Sequence, residues 1–235
     1  MNVAVVRFPG SNCDLDAVQA ISKLGSPEIT TKLVWHESDE LAKFDAIILP
    51  GGFSFGDCLR AGSIAARSPA IATVRKKAEA GTPVLGICNG FQILVEAGLL
   101  PGALLRNSGL KFVCDWTNVK VENADTPFSR AAQVGQVLRM PIAHGEGRYY
   151  ATDEEVDLLR RDHRIIFRYS NALGKVTGDS NPTGTAHGIA GISNKEGNVV
   201  GLMPHPERAC DPLLSPYSSS DGRLVFMSLL GGASS

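Results

Sequence analysis

Val84-Leu85-Gly86-Ile87-Cys88-Asn89-Gly90-Phe91-Gln92-Ile93-Leu94 holds a strand, a turn and the start of a helix in one short stretch. Pro83 breaks the chain ahead of it, and the small and apolar residues 84–87 suit a strand buried on both faces. From Gly90 onward, apolar residues at 91, 94, 95 and 99 recur at helical spacing. Cys88 therefore stands on the turn, with Gly86 and Gly90 two positions away on either side. That is the spacing of a nucleophile elbow, in which glycines let strand and helix approach closely while the central side chain is forced outward. A thiol at a helix N-terminus has its thiolate stabilised by the helix dipole, and the first N–H groups of the helix can hold a developing oxyanion. A structural cysteine on a tight turn satisfies the same short pattern, so other parts of the chain must decide.

Working outward, Val3 to Phe8 reads as a first buried strand, and Pro9-Gly10-Ser11-Asn12 as its exit loop. Ser11, Asn12 or Asp14 can cap a helix that runs to about Leu24, where Gly25 stops it. Lys32 to Trp35 and Asp45 to Leu49 read as the next strands, and Ile64 to Ala80 as a helix with an exposed basic face. Strands alternating with helices predict an α/β fold, an open mixed and mostly parallel sheet with helices on both faces. Ligands in such sheets sit beyond the carboxyl ends of the strands. Partial alternation from Lys111 to Val121 predicts antiparallel strands added at the edge, and residues 153–161 a further helix. Neither a repeat nor a low-complexity linker divides the chain, which reads as one domain over 1–235.

The composition narrows the function classes. A hydrophobic share of 43%, a charged share of 20% and a net charge of −1 describe a globular protein without the basic face that nucleic acid requires. No apolar run reaches the about 18 residues of a membrane span, and the N-terminus lacks the pattern of a signal peptide, so a cytoplasmic location is expected. Five cysteines without a C-x-x-C pair argue against a disulfide framework and a structural zinc, and no metal is expected.

Two more segments bear on Cys88. Gly51-Gly52-Phe53-Ser54-Phe55-Gly56-Asp57 follows a strand but has neither the G-K-[ST] ending of a P-loop nor G-x-G-x-x-G spacing. It is either a plain tight turn or a loop whose Gly52 N–H joins that of Asn89 in an oxyanion hole, and glycine suits both readings. Val199 to Met203 reads as a last buried strand, followed at once by Pro204-His205-Pro206-Glu207-Arg208. Two prolines hold this segment extended, so His205 and Glu207, two apart, are expected on one side. A cysteine nucleophile needs a base and a group that orients the base, and His205 and Glu207 supply those types; a capping or surface histidine is the alternative. The segment 140–150, rich in His, Glu, Arg and Gly, is a third place where binding residues can gather.

G-I-C-N-G-F-Q (86–92), P-H-P-E-R (204–208) and L-P-G-G-F-S-F-G-D (49–57) together resemble the class I glutamine amidotransferases. Further segments, F-P-G-S-N-C-D (8–14), L-R-A-G (59–62), A-G-L-L-P-G-A-L-L-R-N (97–107) and A-H-G-E-G-R-Y-Y (143–150), are similar within that class to the glutaminase subunits of phosphoribosylformylglycinamidine synthases. The resemblance spans nearly the whole chain and implies a flavodoxin-like three-layer fold. It implies Cys88 as nucleophile, His205 as base and acid, and Glu207 as its orienting partner. Gly52 and Asn89 would form the oxyanion hole, and Gln92, Ala143, His144 and Gly145 would hold glutamine. It also implies glutamine hydrolysis with ammonia passed to a large synthetase subunit in purine synthesis. ATP and Mg would bind that subunit rather than this chain, and a small third subunit would complete the complex.

Overall fold

The computed structural model describes residues 1–25 and 27–231. Its elements follow in the order β1 (Asn2–Arg7), α1 (Asp14–Leu24), β2 (Thr30–Trp35), β3 (Ala46–Leu49), α2 (Pro69–Glu79), β4 (Val84–Ile87), α3 (Asn89–Glu96), β5 (Ala103–Leu105), β6 (Val113–Val121), β7 (Val137–His144), β8 (Arg148–Tyr150), α4 (Asp153–Arg161), β9 (Ile165–Ser170), β10 (Ile189–Ser193), β11 (Val199–Leu202) and α5 (Arg223–Leu230). The continuous apolar runs become the strands buried on both faces: every residue of β3, β4 and β11 is buried. Polar flanks become helix ends. Thr152 and Glu155 close a reciprocal capping box on α4, and the Gly25 N–H donates to Ile21 O as α1 stops.

Nine strands form one sheet in the order β2-β1-β3-β4-β11-β10-β9-β6-β7, and β5 pairs with β8 apart from it. The first five of that order are parallel, and each later strand is antiparallel to its neighbour. All but β10 and β6 thus point the same way, which is the mixed, mostly parallel α/β sheet that the alternating pattern predicts. The order 2-1-3-4, continued by β11 in fifth place, is flavodoxin-like. Right-handed crossovers that move outward from β1 to β2 and inward from β3 to β4 put α1 and α2 on opposite faces. The order reverses between β1 and β3, so the loops leaving those strands open at a switch point.

Three boundaries differ from the sequence reading. The expected helix over Ile64 to Ala80 is two pieces, a 3₁₀ turn at Ala65–Arg67 and then α2, because Ser68-Pro69 interrupts the hydrogen bonding and restarts it with proline at the first helical position. The residue at the N-cap of α1 is Cys13, with no side-chain cap, in place of Ser11, Asn12 or Asp14. The segment after β11 is not extended throughout. His205 is near-extended, but Pro206–Ala209 is a 3₁₀ turn. One feature has no counterpart in the sequence reading: the antiparallel half curls back, so that the His205 N–H donates to Pro141 O of β7 at 2.8 Å although four strand positions separate β11 from β7.

Close packing of α3 on the sheet depends on glycine. A Cβ on Gly201 of β11 would collide with the Phe91 ring and stand 2.7 Å from Leu100 Cδ1, both fully buried or nearly so. Gly201→Ala therefore forces the helix outward or Phe91 off its rotamer, an overpacking cost of about 1–3 kcal/mol. A lowered urea midpoint at unchanged m-value is the expected result.

Candidate active site

β4 ends at Ile87, and its next amide, Cys88 N–H, donates to Leu202 O at 2.8 Å, so the exits of β4 and β11 are tied together. Cys88 then turns the chain into α3 at φ 50° and ψ −104°, a conformation that a non-glycine residue adopts at a cost of about 1–3 kcal/mol. The flanking glycines explain how. A Cβ on Gly86 would lie 2.6 Å from Gly90 O, and one on Gly90 would overlap the Leu49 carbonyl. The elbow expected from G-x-C-x-G is present, with Asn89 as the first residue of α3, whose amide has no intrahelical acceptor.

His205 and Glu207 meet as expected, although through a turn. His205 Nδ1 and Glu207 Oε1 are 2.6 Å apart and both side chains are buried. His205 Nε2 is buried with no hydrogen-bond partner among the described residues. Burial opposes the imidazolium, but the charges of Glu207 and of Cys88 outweigh it, and the His205 pKa stands well above its ordinary value. Cys88 thus stands near enough to His205 to influence its charge state.

A second cysteine approaches the same histidine. Ligating atoms of Cys13, His205 and Glu207 lie within 4.8 Å of one another, the one such grouping among the described residues that could hold a metal ion. Glu207 Oε1 and His205 Nδ1 are already engaged with each other there. The thiol of Cys13 donates to Asn12 Oδ1 at 3.1 Å, and burial raises its pKa. Gly51 packs against both: a Cβ there would be 2.6 Å from His205 Cε1 and 3.1 Å from Cys13 Sγ. Cys13 is absent from the lining of the cleft that Cys88 opens into. The sequence carried a signal for it, a cysteine on the exit loop of β1 next to the switch point, which the reading of Cys88 overshadowed.

That cleft, about 160 Å³, is lined by Gly52, Phe53, Asp57, Cys88, Gln92 and Phe112, and on its far side by residues 143–146. Gly52, Gln92, Ala143, His144 and Gly145 are thus brought together with the nucleophile candidate. Cys88 Sγ is 3.8 Å from Ala143 O. The Gln92 amide bridges the cleft, accepting from Asn89 Nδ2 at 2.9 Å and donating to Glu146 O at 2.6 Å. His144 is a wall residue. Asn107 hydrogen-bonds its ring and its carbonyl, Gly147 packs on the ring, and burial together with the His205 charge pushes its pKa down to about 3. It is neutral. A roomier groove of about 550 Å³ lies between Asp115 and Pro182, but it contains none of these residues.

Asp57 is a lining residue that the sequence reading did not single out. The loop reaching it is strained, with φ of 53° at Phe55, 52° at Asp57 and 68° at Leu59. Asn89 organises it, accepting from Ser54 N–H at 3.1 Å and donating to Asp57 Oδ1 at 3.3 Å. Burial and the nearby Glu146 carboxylate push Asp57 up to about 6, against the lowering effect of Asn89.

Residues 1–227 match the model of the CobB/CobQ-like glutamine amidotransferase domain. A phosphoribosylformylglycinamidine synthase subunit PurQ from Thermomicrobium roseum is 54% identical over 98% of this chain and 95% of its own length, and one from Thermus thermophilus is 53% identical over 98% of each. Among solved structures, that of PurLQS from Thermotoga maritima contains a chain with TM-score 0.85 and 44% identity, covering 98% of this chain and 97% of that one. The glutaminase domain of Trypanosoma brucei CTPS, at TM-score 0.62 and 13% identity over 100% of this chain and 95% of that one, shares the fold. Strained elbow, paired histidine and near full-length likeness agree: the chain belongs to the CobB/CobQ-like glutamine amidotransferase family, and within it to the family of phosphoribosylformylglycinamidine synthase subunits PurQ.

Proposed function

We propose that the chain is the glutaminase subunit of a phosphoribosylformylglycinamidine synthase, with Cys88, His205 and Glu207 as its catalytic triad. The observation that carries the triad is the strained Cys88 at a helix N-terminus, lining a cleft and within reach of a histidine that Glu207 orients from 2.6 Å. Cys13 is the rival nucleophile. Its thiol lies outside the cleft and its pKa is raised by burial, whereas a nucleophile must meet substrate as a thiolate.

The chemistry follows from the geometry. Cys88 thiolate attacks the side-chain amide carbon of glutamine, and the carbonyl oxygen becomes an oxyanion facing the N–H groups of Gly52 and Asn89. His205 imidazolium gives a proton to the departing nitrogen, which leaves as ammonia. A thioester remains on Cys88. Water then attacks it with neutral His205 as base, glutamate departs, and Cys88 thiolate and His205 imidazolium are restored. Gln92, Ala143, His144 and Gly145 form the walls that hold the substrate.

Ammonia released to water would be lost as ammonium, so the reading includes transfer to a synthetase. The Thermotoga maritima relative was solved as PurLQS, and we assign to this chain too the partners of such a complex, a large synthetase and a small third subunit. ATP and Mg are assigned to the synthetase, and no metal or cofactor to this chain, which acts as one amidotransferase domain in the cytoplasm. No described helix is long and apolar enough to cross a membrane.

In the reconstituted complex, Cys88→Ala is expected to abolish glutamine-dependent synthesis and leave ammonia-dependent synthesis intact. Equal loss of both would make Cys88 structural. Cys13→Ser is expected to retain most of the glutamine-dependent rate, and the reverse pattern would exchange the roles of the two cysteines. Glu207→Gln removes the charge that raises the His205 pKa, so the imidazolium is lost at lower pH. The alkaline limb of the kcat/KM profile should therefore move to lower pH, with a rate loss on the order of 10²–10⁴.

A further inference from the structure

We infer that Asp57, seconded by Glu146, recognises the α-ammonium group of the substrate and so makes the cleft selective for a free amino acid. The inference rests on the glutaminase reading of the same cleft and names what holds the end of glutamine away from the reacting amide.

The cleft's lining combines two chemistries. One is the Cys88 thiol, with the buried, unpartnered His205 Nε2 near it but outside the lining. The rest of the lining carries two ionisable carboxyl groups, Asp57 and Glu146, one aromatic pair, Phe53 and Phe112 at 6.3 Å, and the neutral His144. Among the described residues, no lysine or arginine lines it. Of the nearby cations, Arg60 pairs with Glu96 at 2.6 Å and the mostly exposed Arg106 lies 3.7 Å from Glu146 Oε1, so Asp57 is the lining carboxylate without an ion-pair partner among the described residues and Glu146 is the secondary one. At about 160 Å³ the cleft is well below the about 300 Å³ at which pockets for drug-sized ligands begin, so its occupant is a single small molecule.

Asp57 is built into place. Positive φ at Phe55, Asp57 and Leu59 is a backbone arrangement that persists only where its surroundings over-determine it, and such strain clusters at ligand clamps. The fixing group is Asn89, the residue next to Cys88, which holds Ser54 N–H and Asp57 Oδ1 together. Gln92, bonded to that same Asn89 and to the backbone of residue 146, spans the gap to Glu146. One hydrogen-bonded frame thus fixes the Asp57 carboxylate and the backbone of residue 146 relative to the nucleophile. Two carboxylates that repel each other gain from a cation between them, and an α-ammonium with three N–H donors is the cation that glutamine brings. The arrangement also orients the ligand: the ammonium goes to the acidic end and the amide to Cys88.

The test compares glutamine with glutaramate, which has the same chain, carboxylate and amide but no α-amino group, in the complex assembled with its synthetase. The wild type is expected to prefer glutamine strongly. Asp57→Asn should lower kcat/KM for glutamine about ten- to a hundredfold, as loss of one charged hydrogen bond does, chiefly through KM, and leave that for glutaramate unchanged. Asp57→Glu should restore part of the preference, and Glu146→Gln should lower it to a smaller degree. Equal losses on both substrates would show that Asp57 only supports the loop, and an unchanged preference in both Asp57→Asn and Glu146→Gln would overturn the inference outright. If Asp57→Asn fails to fold, Glu146→Gln alone decides by the same ratio. A wild-type complex unable to hydrolyse glutamine would instead overturn the glutaminase reading, and the inference with it.

Discussion

The buried contact between His205 and Glu207 is the interaction on which the site depends. Placing an ionised carboxylate and an imidazolium where water does not reach costs several kcal/mol for each ion, and only a close partner offsets it. Here the partners are 2.6 Å apart, and Glu207 is so enclosed that its second oxygen has no hydrogen-bond partner among the described residues. The surrounding structure is shaped to that pair. Gly51 gives up a side chain so that the ring can sit against the β3 exit, Cys13 fills the space behind it, and β7 anchors the His205 amide. A charge left behind by removing one partner would cost about 3–5 kcal/mol, which is why neighbours with no chemical role still constrain the site.

The parallel half of the sheet explains how these groups come to one place. β1, β3, β4 and β11 are consecutive neighbours in the sheet and all point the same way, so their carboxyl ends release Cys13, Gly52, Cys88 and His205 in a row. Strand spacing of about 4.8 Å then sets how far apart those groups begin, and side chains cover the remainder. The antiparallel half has a different task. By curling back it turns its last strand into the far wall of the cleft, and residues 143–146 close the space over Cys88.

Much of this was legible in the chain because it is carried by local pattern. The elbow follows from two glycines around one cysteine, the strands from continuous apolar runs, and the pairing of His205 with Glu207 from their place directly after a strand. That pairing survives a wrong premise: the segment is a 3₁₀ turn, yet residues two apart still meet, since Pro206 leaves few other paths. What stayed hidden depends on contacts between distant segments. Nothing local in β6 or β7 states that the sheet will curl. Cys13 looks like any cysteine in a loop until β11 brings His205 beside it. Asp57 closes a glycine-rich loop that sequence rules read as a turn, and its positive φ is sustained by Asn89, 32 residues further on.

Four of the eight non-glycine positions with positive φ among the described residues tie the fold to the cleft. Phe55, Asp57, Leu59 and Cys88 all have positive φ, and all lie at the cleft or in the loop that forms its edge. Each such residue costs about 1–3 kcal/mol, the amount that burying one large aliphatic side chain contributes. The central strands, with Val3, Val5, Ile47, Ile48, Leu85 and Ile87 fully buried, supply that stabilisation a few residues away. Rigid strands and a strained rim are therefore two parts of one device. The strands fix where the chain must emerge, and the rim departs from relaxed geometry because that is the route by which Cys88 and Asp57 face the same small space.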